Sequence, residues 1–165
     1  MGDEAAPTAR AAARVLVLDE RGHVLLLRGF DPTQPDRGSW WFTPGGGIDE
    51  GESAADAARR ELAEETGLRV VGLGPVRFER HATFEFEGVT YQQHEQYFVV
   101  RTARFAPTRD GWTEVERRSV LEHRWWSADE LAATDDVVYP EHLAQRLRDE
   151  LSRPGVPIRP RGYRP

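Results

Sequence analysis

The chain contains no cysteine and no lysine among its 165 residues, and all 22 of its basic residues are arginine. Without cysteine there is no disulfide, no thiolate nucleophile and no zinc–thiolate site, so the fold depends on its hydrophobic core. Without lysine, neither a P-loop lysine nor a Schiff-base mechanism is available. These absences remove several common kinds of active site.

The chain also lacks a basic excess and any apolar run long enough to span a membrane. Its net charge is −6, whereas a surface for nonspecific contact with nucleic-acid phosphates needs an excess of basic residues. Residues 1–10 carry Asp3 and Glu4 where a secretory signal would be basic. We therefore expect a cytoplasmic protein with no membrane contact and no general nucleic-acid binding.

Residues 45–68 predict a glycine-rich loop followed by a helix. Ser53 is suited to cap the first turn, and Gly67 stands where a left-handed residue would end the helix. Three glutamates share one helical face: Glu61, Glu64 and Glu65. Like charges at this spacing repel, and the helix dipole disfavours anions near the C-terminus. The acidic face is therefore unfavourable for the helix by itself.

The residues alone leave two interpretations of this acidic face open. Mg²⁺ or Mn²⁺ prefers oxygen ligands and often bridges carboxylates to substrate phosphates, and glycines let the backbone approach an ion or a phosphate closely. The alternative is a solvated surface helix with ion pairs such as Arg60–Glu64.

The full spacing resembles the Nudix box. Gly46 is followed after five residues by Glu52, after seven more by Arg60, and then by Glu-Leu-Ala-Glu-Glu-Thr-Gly-Leu. This segment matches every position of G-x5-E-x7-R-E-U-x-E-E-x-G-U, in which U is a bulky aliphatic residue. The box covers residues 46–68 of the 165. The chain is therefore similar to the Nudix hydrolases.

That resemblance implies a fold of the α/β class, an α/β/α sandwich with a mixed β-sheet. It also implies hydrolysis of a diphosphate linkage in a nucleoside diphosphate joined to another moiety, with Mg²⁺ or Mn²⁺ as cofactor and a small-molecule nucleotide as partner. Family members that act on ADP-ribose often have a proline shortly after the box, and those that act on dinucleoside polyphosphates have a tyrosine slightly further on. Here Phe84, Glu85 and Phe86 occupy that region, so neither signature is present. A nucleoside triphosphate or a nucleotide sugar is therefore favoured.

A non-hydrolytic nucleotide-binding sensor of the same fold is the main alternative to an enzyme. The intact box argues against it, because such sensors tend to lose the glutamates. A structural or partner-binding protein is a third alternative, and a homodimer stays open.

The resemblance also assigns roles to individual residues. The expected metal ligands are the Gly46 carbonyl and three carboxylates: Glu61, Glu64 and Glu65. Glu61 and Glu64 are also expected to be catalytic, with Glu61 a candidate general base. Arg60 would orient the carboxylates, Glu52 would brace the loop, and Gly67 is structural.

A further glutamate outside the box commonly completes such sites. Four residues are candidates: Glu95, Glu114, Glu116 and Glu122. A loop acid can close over substrate, whereas a strand acid is fixed beforehand, which favours residues 106–119. We choose Glu116 as catalytic because it lies nearer the following strand; the alternative for each acid is an ordinary exposed glutamate.

Two further residues are candidates for substrate binding. Trp41 lies in an aromatic cluster where a base can stack, although packing in the core is the competing interpretation. His94 lies in a predicted strand, where histidines are more often structural or at the surface.

Length and composition predict one domain at residues 11–152, which the resemblance implies is a Nudix hydrolase domain. A disordered lead is expected at 1–10 and a flexible Arg/Pro-rich tail at 153–165. Apolar runs and alternation predict strands at these positions: 15–18, 24–27, 70–78, 82–87, 91–105 and 120–126. Residues 106–119 are expected to be a loop, Ser127 to open a short helix, and Pro140 to begin another.

Overall fold

A computed structural model describes residues 6–154, and within that range the chain forms eight strands and four α-helices. The strands are β1 (Thr8–Leu18), β2 (Val24–Phe30), β3 (Ser39–Phe42), β4 (Gly45–Gly47), β5 (Phe78–Phe86), β6 (Val89–Arg101), β7 (Val120–Trp126) and β8 (Val137–Val138). The helices are α1 (Ala54–Thr66), α2 (Glu114–Ser119), α3 (Ala128–Ala133) and α4 (Leu143–Leu151), with a 3-10 turn at Pro35–Arg37. No helix in this range combines the length and apolar character needed to cross a bilayer.

All eight strands belong to one mixed sheet. Its main order is β5-β6-β1-β2-β3-β8, with β4 beside β1 and β7 beside β2. Strands β1 and β6 run parallel, as do β3 and β8, while the other pairs are antiparallel. The observed architecture confirms the predicted mixed sheet of the α/β class.

The centre of β1 is buried on both faces, because helices cover the sheet from both sides. Val15 and Val17 pack under Leu62 of α1 on one face. Leu16 and Leu18 point to the opposite face, as the two-residue period of a strand requires, and belong to the cluster that includes Leu131 of α3 and Leu147 of α4. This explains why residues 15–18 read as a continuous apolar run.

Several expected boundaries are wrong, because pairing across the sheet overrides local composition. Strand β1 begins at Thr8, since residues from Thr8 onward pair with β6, so the expected lead at 1–10 is partly strand; residues 1–5 lie outside the described range. The expected strand at 70–78 is largely irregular, and β5 begins only at Phe78. Most of the expected tail, residues 155–165, is also outside the described range.

Two helix predictions also need correction. The expected loop at 106–119 contains α2, which opens with a capping box between Thr113 and Glu116. Helix α4 begins at Leu143 instead of Pro140, because His142 adopts a left-handed backbone conformation that helical geometry does not accommodate.

Trp41 is a core residue, contrary to the prediction that it binds substrate. Its side chain is 3% exposed and lies edge-on to Trp126, with ring centroids 5.1 Å apart. The indole Nε1 donates a hydrogen bond to Asp136 Oδ2 at 3.0 Å. No face of the ring is free for a nucleobase, so the core-packing interpretation is the correct one.

Replacing Trp41 with Phe tests this assignment. The change removes the bond to Asp136 and leaves unfilled volume, so we expect the free energy of unfolding to fall by about 1–3 kcal/mol. The KM for a nucleotide substrate should stay within about twofold of the parent value, since a change of that size corresponds to less than half a kcal/mol. Urea titration and steady-state kinetics measure both quantities. A raised KM with unchanged stability would instead indicate contact with substrate.

Candidate active site

Helix α1 forms where its capping residues predict. Ser53 Oγ accepts a hydrogen bond from the Asp56 N–H at 3.1 Å, and Gly67 ends the helix with a φ of 81°. The helix buries Ala57, Ala58 and Leu62 against the sheet. Because the apolar stripe fixes the rotation of the helix, Glu61 and Glu65 are directed toward the glycine strand β4.

The C-terminal carbonyls of α1 are covered by a later part of the chain. The Glu65 carbonyl accepts hydrogen bonds from Trp112 Nε1 at 2.9 Å and from His123 Nε2 at 3.1 Å. The Thr66 carbonyl accepts one from the Thr108 N–H at 3.0 Å. A Cβ on Gly111 would lie 2.7 Å from the Glu64 carbonyl oxygen, so the loop passes too close for any side chain. These contacts bring α2 against the end of α1.

Three carboxylates converge as a result, and they come from two different helices. Glu61 and Glu65 of α1 and Glu116 of α2 each offer an oxygen within 4.8 Å of the others. Glu61 and Glu65 are buried, and Glu116 is half-buried. Glu116 also accepts a hydrogen bond from the Thr113 N–H in its capping box, which orients its side chain.

The glycines form strand β4 instead of the expected loop, and their lack of side chains makes room for two of these acids. Gly45 donates its N–H to Glu65 Oε2 at 2.6 Å. A Cβ on Gly46 would lie 2.6 Å from a carboxylate oxygen of Glu61, and one on Gly45 would lie 2.2 Å from the Ala13 carbonyl. The expected Gly46 ligand position therefore lies directly beside the Glu61 carboxylate.

Burial and the charges of neighbouring carboxylates make the anionic forms of Glu61 and Glu65 unfavourable. Burial, and then the nearby Glu61 charge, raises the pKa of Glu65 well above its usual value, despite opposing contributions from Arg14 and the Gly45 N–H. Burial also raises the pKa of Glu61, with Arg60 opposing the shift and Glu64 and Glu116 adding to it. A set of carboxylate oxygens that repel one another in a small volume fits a hard divalent cation.

Arg60 connects the glycine strand β4 to Glu52, which lies in the loop before α1. Its guanidinium donates to Glu52 at 2.8 and 2.9 Å, to the Gly47 carbonyl at 3.0 Å and to Glu61 at 2.9 Å. The bond from Arg60 is the largest cause that lowers the pKa of Glu52 to about 2. Glu52 also accepts a hydrogen bond from the Asp49 N–H.

Two residues expected at the site, Glu64 and His94, are not members of the converging set. Glu64 has its carboxylate 3.6 Å from Arg60 Nη1 and is not a member of the converging set. His94 stacks on His81 with centroids 4.6 Å apart and lies 3.2 Å from Glu79, on the other side of β6 from Glu95. The fold therefore does not place either residue in the set formed by Glu61, Glu65 and Glu116.

The other three acids considered outside the box have different surroundings. Glu95 is buried and accepts hydrogen bonds from Arg80, Gln93 and Tyr97. Glu122 pairs with Arg28 at 3.4 Å, and Glu114 is exposed in the first turn of α2.

Three residues that cover the end of α1 are not among those predicted from the sequence: Thr108, Trp112 and His123. No periodicity marks them, since their contacts are with a distant helix. The available signal was the capping-box pattern from Thr113 to Glu116, which predicts a helix start inside the supposed loop.

The Nudix family profile, described as NUDIX domain, matches residues 8–147. The chain therefore belongs to the Nudix family. It resembles a MutT protein from Methanosarcina mazei Go1, with a TM-score of 0.65, 19% identity, and 91% of this chain and 100% of that chain covered. At this level of identity, the structural likeness concerns the fold.

Curated relatives match over a shorter part of the chain. An RNA pyrophosphohydrolase from Bartonella bacilliformis is 43% identical over 67 residues, which are 39% of this chain and 39% of that protein. An octanoyltransferase from Myxococcus xanthus is 44% identical over 68 residues, covering 39% of this chain and 18% of that protein. The chain thus spans well under half the length of these relatives, which differ in named activity.

Replacing Glu65 with Gln should stabilise the protein in EDTA at pH 8. A carboxyl group whose pKa is raised by folding binds its proton more tightly in the folded state, so its contribution to stability falls as pH rises above the ordinary value. We expect a melting temperature about 2–4 °C above the parent at pH 8, corresponding to roughly 1 kcal/mol, and a smaller difference at pH 5. Thermal melts at both pH values measure this. A variant with lower stability at both would contradict the repulsion described here.

Proposed function

We propose that this protein hydrolyses a diphosphate linkage in a nucleoside diphosphate joined to another moiety, with Mg²⁺ or Mn²⁺ as cofactor. The convergence of Glu61, Glu65 and Glu116 beside the glycine strand carries the proposal. Membership of the Nudix family supports it, as does the presence of every box residue. A non-hydrolytic sensor has less need of three carboxylates held together at a cost to stability.

The surroundings of each side chain suggest its role in the reaction. A divalent cation held by the converging carboxylate oxygens would neutralise charge on the phosphate and acidify the attacking water. Glu61 and Glu65, both buried and held by neighbouring groups, are the proposed ligands, with the Gly46 backbone beside them. Arg60 holds the Glu61 carboxylate in a fixed position relative to the glycine strand, because it bonds both. Glu64, whose carboxylate lies 3.6 Å from Arg60 Nη1, stays a predicted ligand and catalytic residue.

Glu116 is the proposed general base. It is the least buried of the three converging acids, and one of its oxygens is held by the Thr113 N–H. The water oxygen attacks phosphorus, the bridging P–O bond breaks, and Glu116 accepts the proton released by the water. A base anchored through one oxygen can present the other in a fixed direction.

Two substrate classes are candidates, a small nucleotide and the end of an RNA, and the net charge of the protein favours the first. A nucleoside triphosphate or a nucleotide sugar suits a protein with a net charge of −6 better than a long RNA does. The name RNA pyrophosphohydrolase, given to several partial relatives, makes a triphosphorylated RNA end the second candidate. Hydrolysis of either candidate breaks a phosphoric anhydride bond, so the candidates differ in the groups joined by that bond and not in the type of bond broken.

Chromatography of the nucleotide products, together with an assay for released phosphate and pyrophosphate, tests the reaction and its substrate over a panel of compounds. The panel contains nucleoside triphosphates, nucleotide sugars, ADP-ribose and a short 5′-triphosphorylated RNA, each with Mg²⁺, Mn²⁺ or EDTA. We expect hydrolysis of at least one compound and its loss in EDTA, because uncompensated carboxylates repel an anionic substrate. Hydrolysis undiminished by excess EDTA would exclude the mechanism, and binding without turnover would favour the sensor.

Replacing Glu116 with Gln tests the proposed base. Glutamine can still complete a capping box, so α2 should keep its structure while losing the proton acceptor. We expect kcat to fall by about 10²-fold or more at saturating Mg²⁺. The matched control is Glu114→Gln in the same helical turn, where the side chain is exposed and outside the converging set. Equal turnover in the two variants would remove Glu116 from the mechanism.

A further inference from the structure

The turn between β5 and β6 contains a residue that its backbone geometry does not favour. Phe86 pairs with Val89, so Glu87 and Gly88 form a two-residue hairpin loop, with φ values of 49° and 78°. Such turns favour Asn or Asp at the first position, because a short polar side chain tolerates the left-handed region best. Glutamate at this position therefore suggests a role for the longer carboxylate.

The Glu87 carboxylate contacts α2. Arg118 donates to it through Nη2 at 2.7 and 2.9 Å, and through Nε at 3.1 Å. Because the guanidinium uses more than one nitrogen and reaches both oxygens, the pair fixes direction as well as distance. Arg118 lies two residues after Glu116 in the same short helix.

The Glu87 backbone is held from a third part of the chain. Its N–H donates to Asp31 Oδ2 at 2.9 Å, and the Asp31 side chain is buried. The other Asp31 oxygen accepts hydrogen bonds from the N–H and hydroxyl groups of Thr33 at 2.8 and 2.7 Å. Gln34 donates to Glu85 at 2.6 Å, which adds a second bond between the same loop and the same hairpin.

Helix α2 needs such support because it has only six residues. A helix of this length is not stable by itself. Its one buried residue is Ser119, while Glu114, Val115 and Arg117 are exposed. The loop ahead of it is fixed on α1 through Trp112, and the chain after it continues directly into β7 at Val120. The Glu87 contact adds a side-chain attachment at this second end.

We propose that Asp31, Glu87 and Arg118 form a latch that positions α2, so that Glu116 stays against Glu61 and Glu65 during turnover. The three are positioning residues, since they act through Glu116. The inference rests on the proposed function of that residue. The Arg118 side chain is 50% exposed, and an exposed ion pair contributes little to global stability, so the effect falls on turnover.

The test compares Glu87→Asn with Glu87→Asp. The two new side chains have the same size and both suit the turn, but only Asp keeps a charge for Arg118. We expect Asn to leave the melting temperature at or above the parent value while kcat falls about tenfold and KM changes less than twofold, as for a misplaced catalytic group. Asp should retain more turnover than Asn. Arg118→Gln breaks the same contact from the other side and should reproduce the loss.

Two further variants test whether the latch acts through Glu116 and whether its effect is specific to this ion pair. In a Glu116→Gln background, Glu87→Asn should cause no additional loss of turnover, because the base that the latch positions is already gone. Arg148→Gln removes another exposed ion pair, to Asp129, and should leave kcat unchanged.

The inference is overturned if Glu87→Asn keeps parent turnover while Glu116→Gln loses it, a result that leaves the proposed function intact. It is also overturned if the Glu87 effect persists in full in the Glu116→Gln background. Parent-like turnover of Glu116→Gln alone would overturn both the inference and the role of Glu116, since the latch would then have no base to position.

Discussion

Repulsion among Glu61, Glu65 and Glu116 is the constraint around which the rest of the structure is arranged. Three carboxylates with oxygens within 4.8 Å of one another, two of them on buried residues, are unfavourable when all are charged. The hydrophobic core of the sheet offsets this cost in stability. Arg60, Arg14 and the Gly45 N–H partly offset the negative charge. A protein selected only for stability would gain by placing these acids elsewhere.

The exclusive use of arginine is consistent with that arrangement. A guanidinium presents several donors in a plane, so one side chain can hold several acceptors in fixed relation. Arg60 contacts Glu52, Glu61 and the Gly47 carbonyl at once. Arg14 donates to the Gly45 carbonyl at 3.0 Å and lies 3.7 Å from the buried Glu95. Both arginines place positive charge beside the acids while fixing the backbone of β4, and lysine offers no such fork.

The two ends of α2 connect distant parts of the fold. Trp112 joins the start of the helix to the last turn of α1, and Arg118 joins its end to the β5–β6 turn. Glu116 lies between these attachments, so its position depends on the sheet, on α1 and on the β5–β6 hairpin. This dependence explains why a residue from a short surface helix can be held accurately beside two buried glutamates.

The sequence by itself determined helix α1, its ends at Ser53 and Gly67, the shared face of Glu61 and Glu65, and the family. Capping and helical periodicity act between residues a few positions apart, so the local chain contains the information. Only the tertiary structure decided that Glu116 meets these acids, that Glu64 turns to Arg60, that Trp41 is buried and that Thr8 begins a strand. Each of those outcomes depends on a contact between segments far apart in the chain, and local patterns do not encode which distant surfaces will meet.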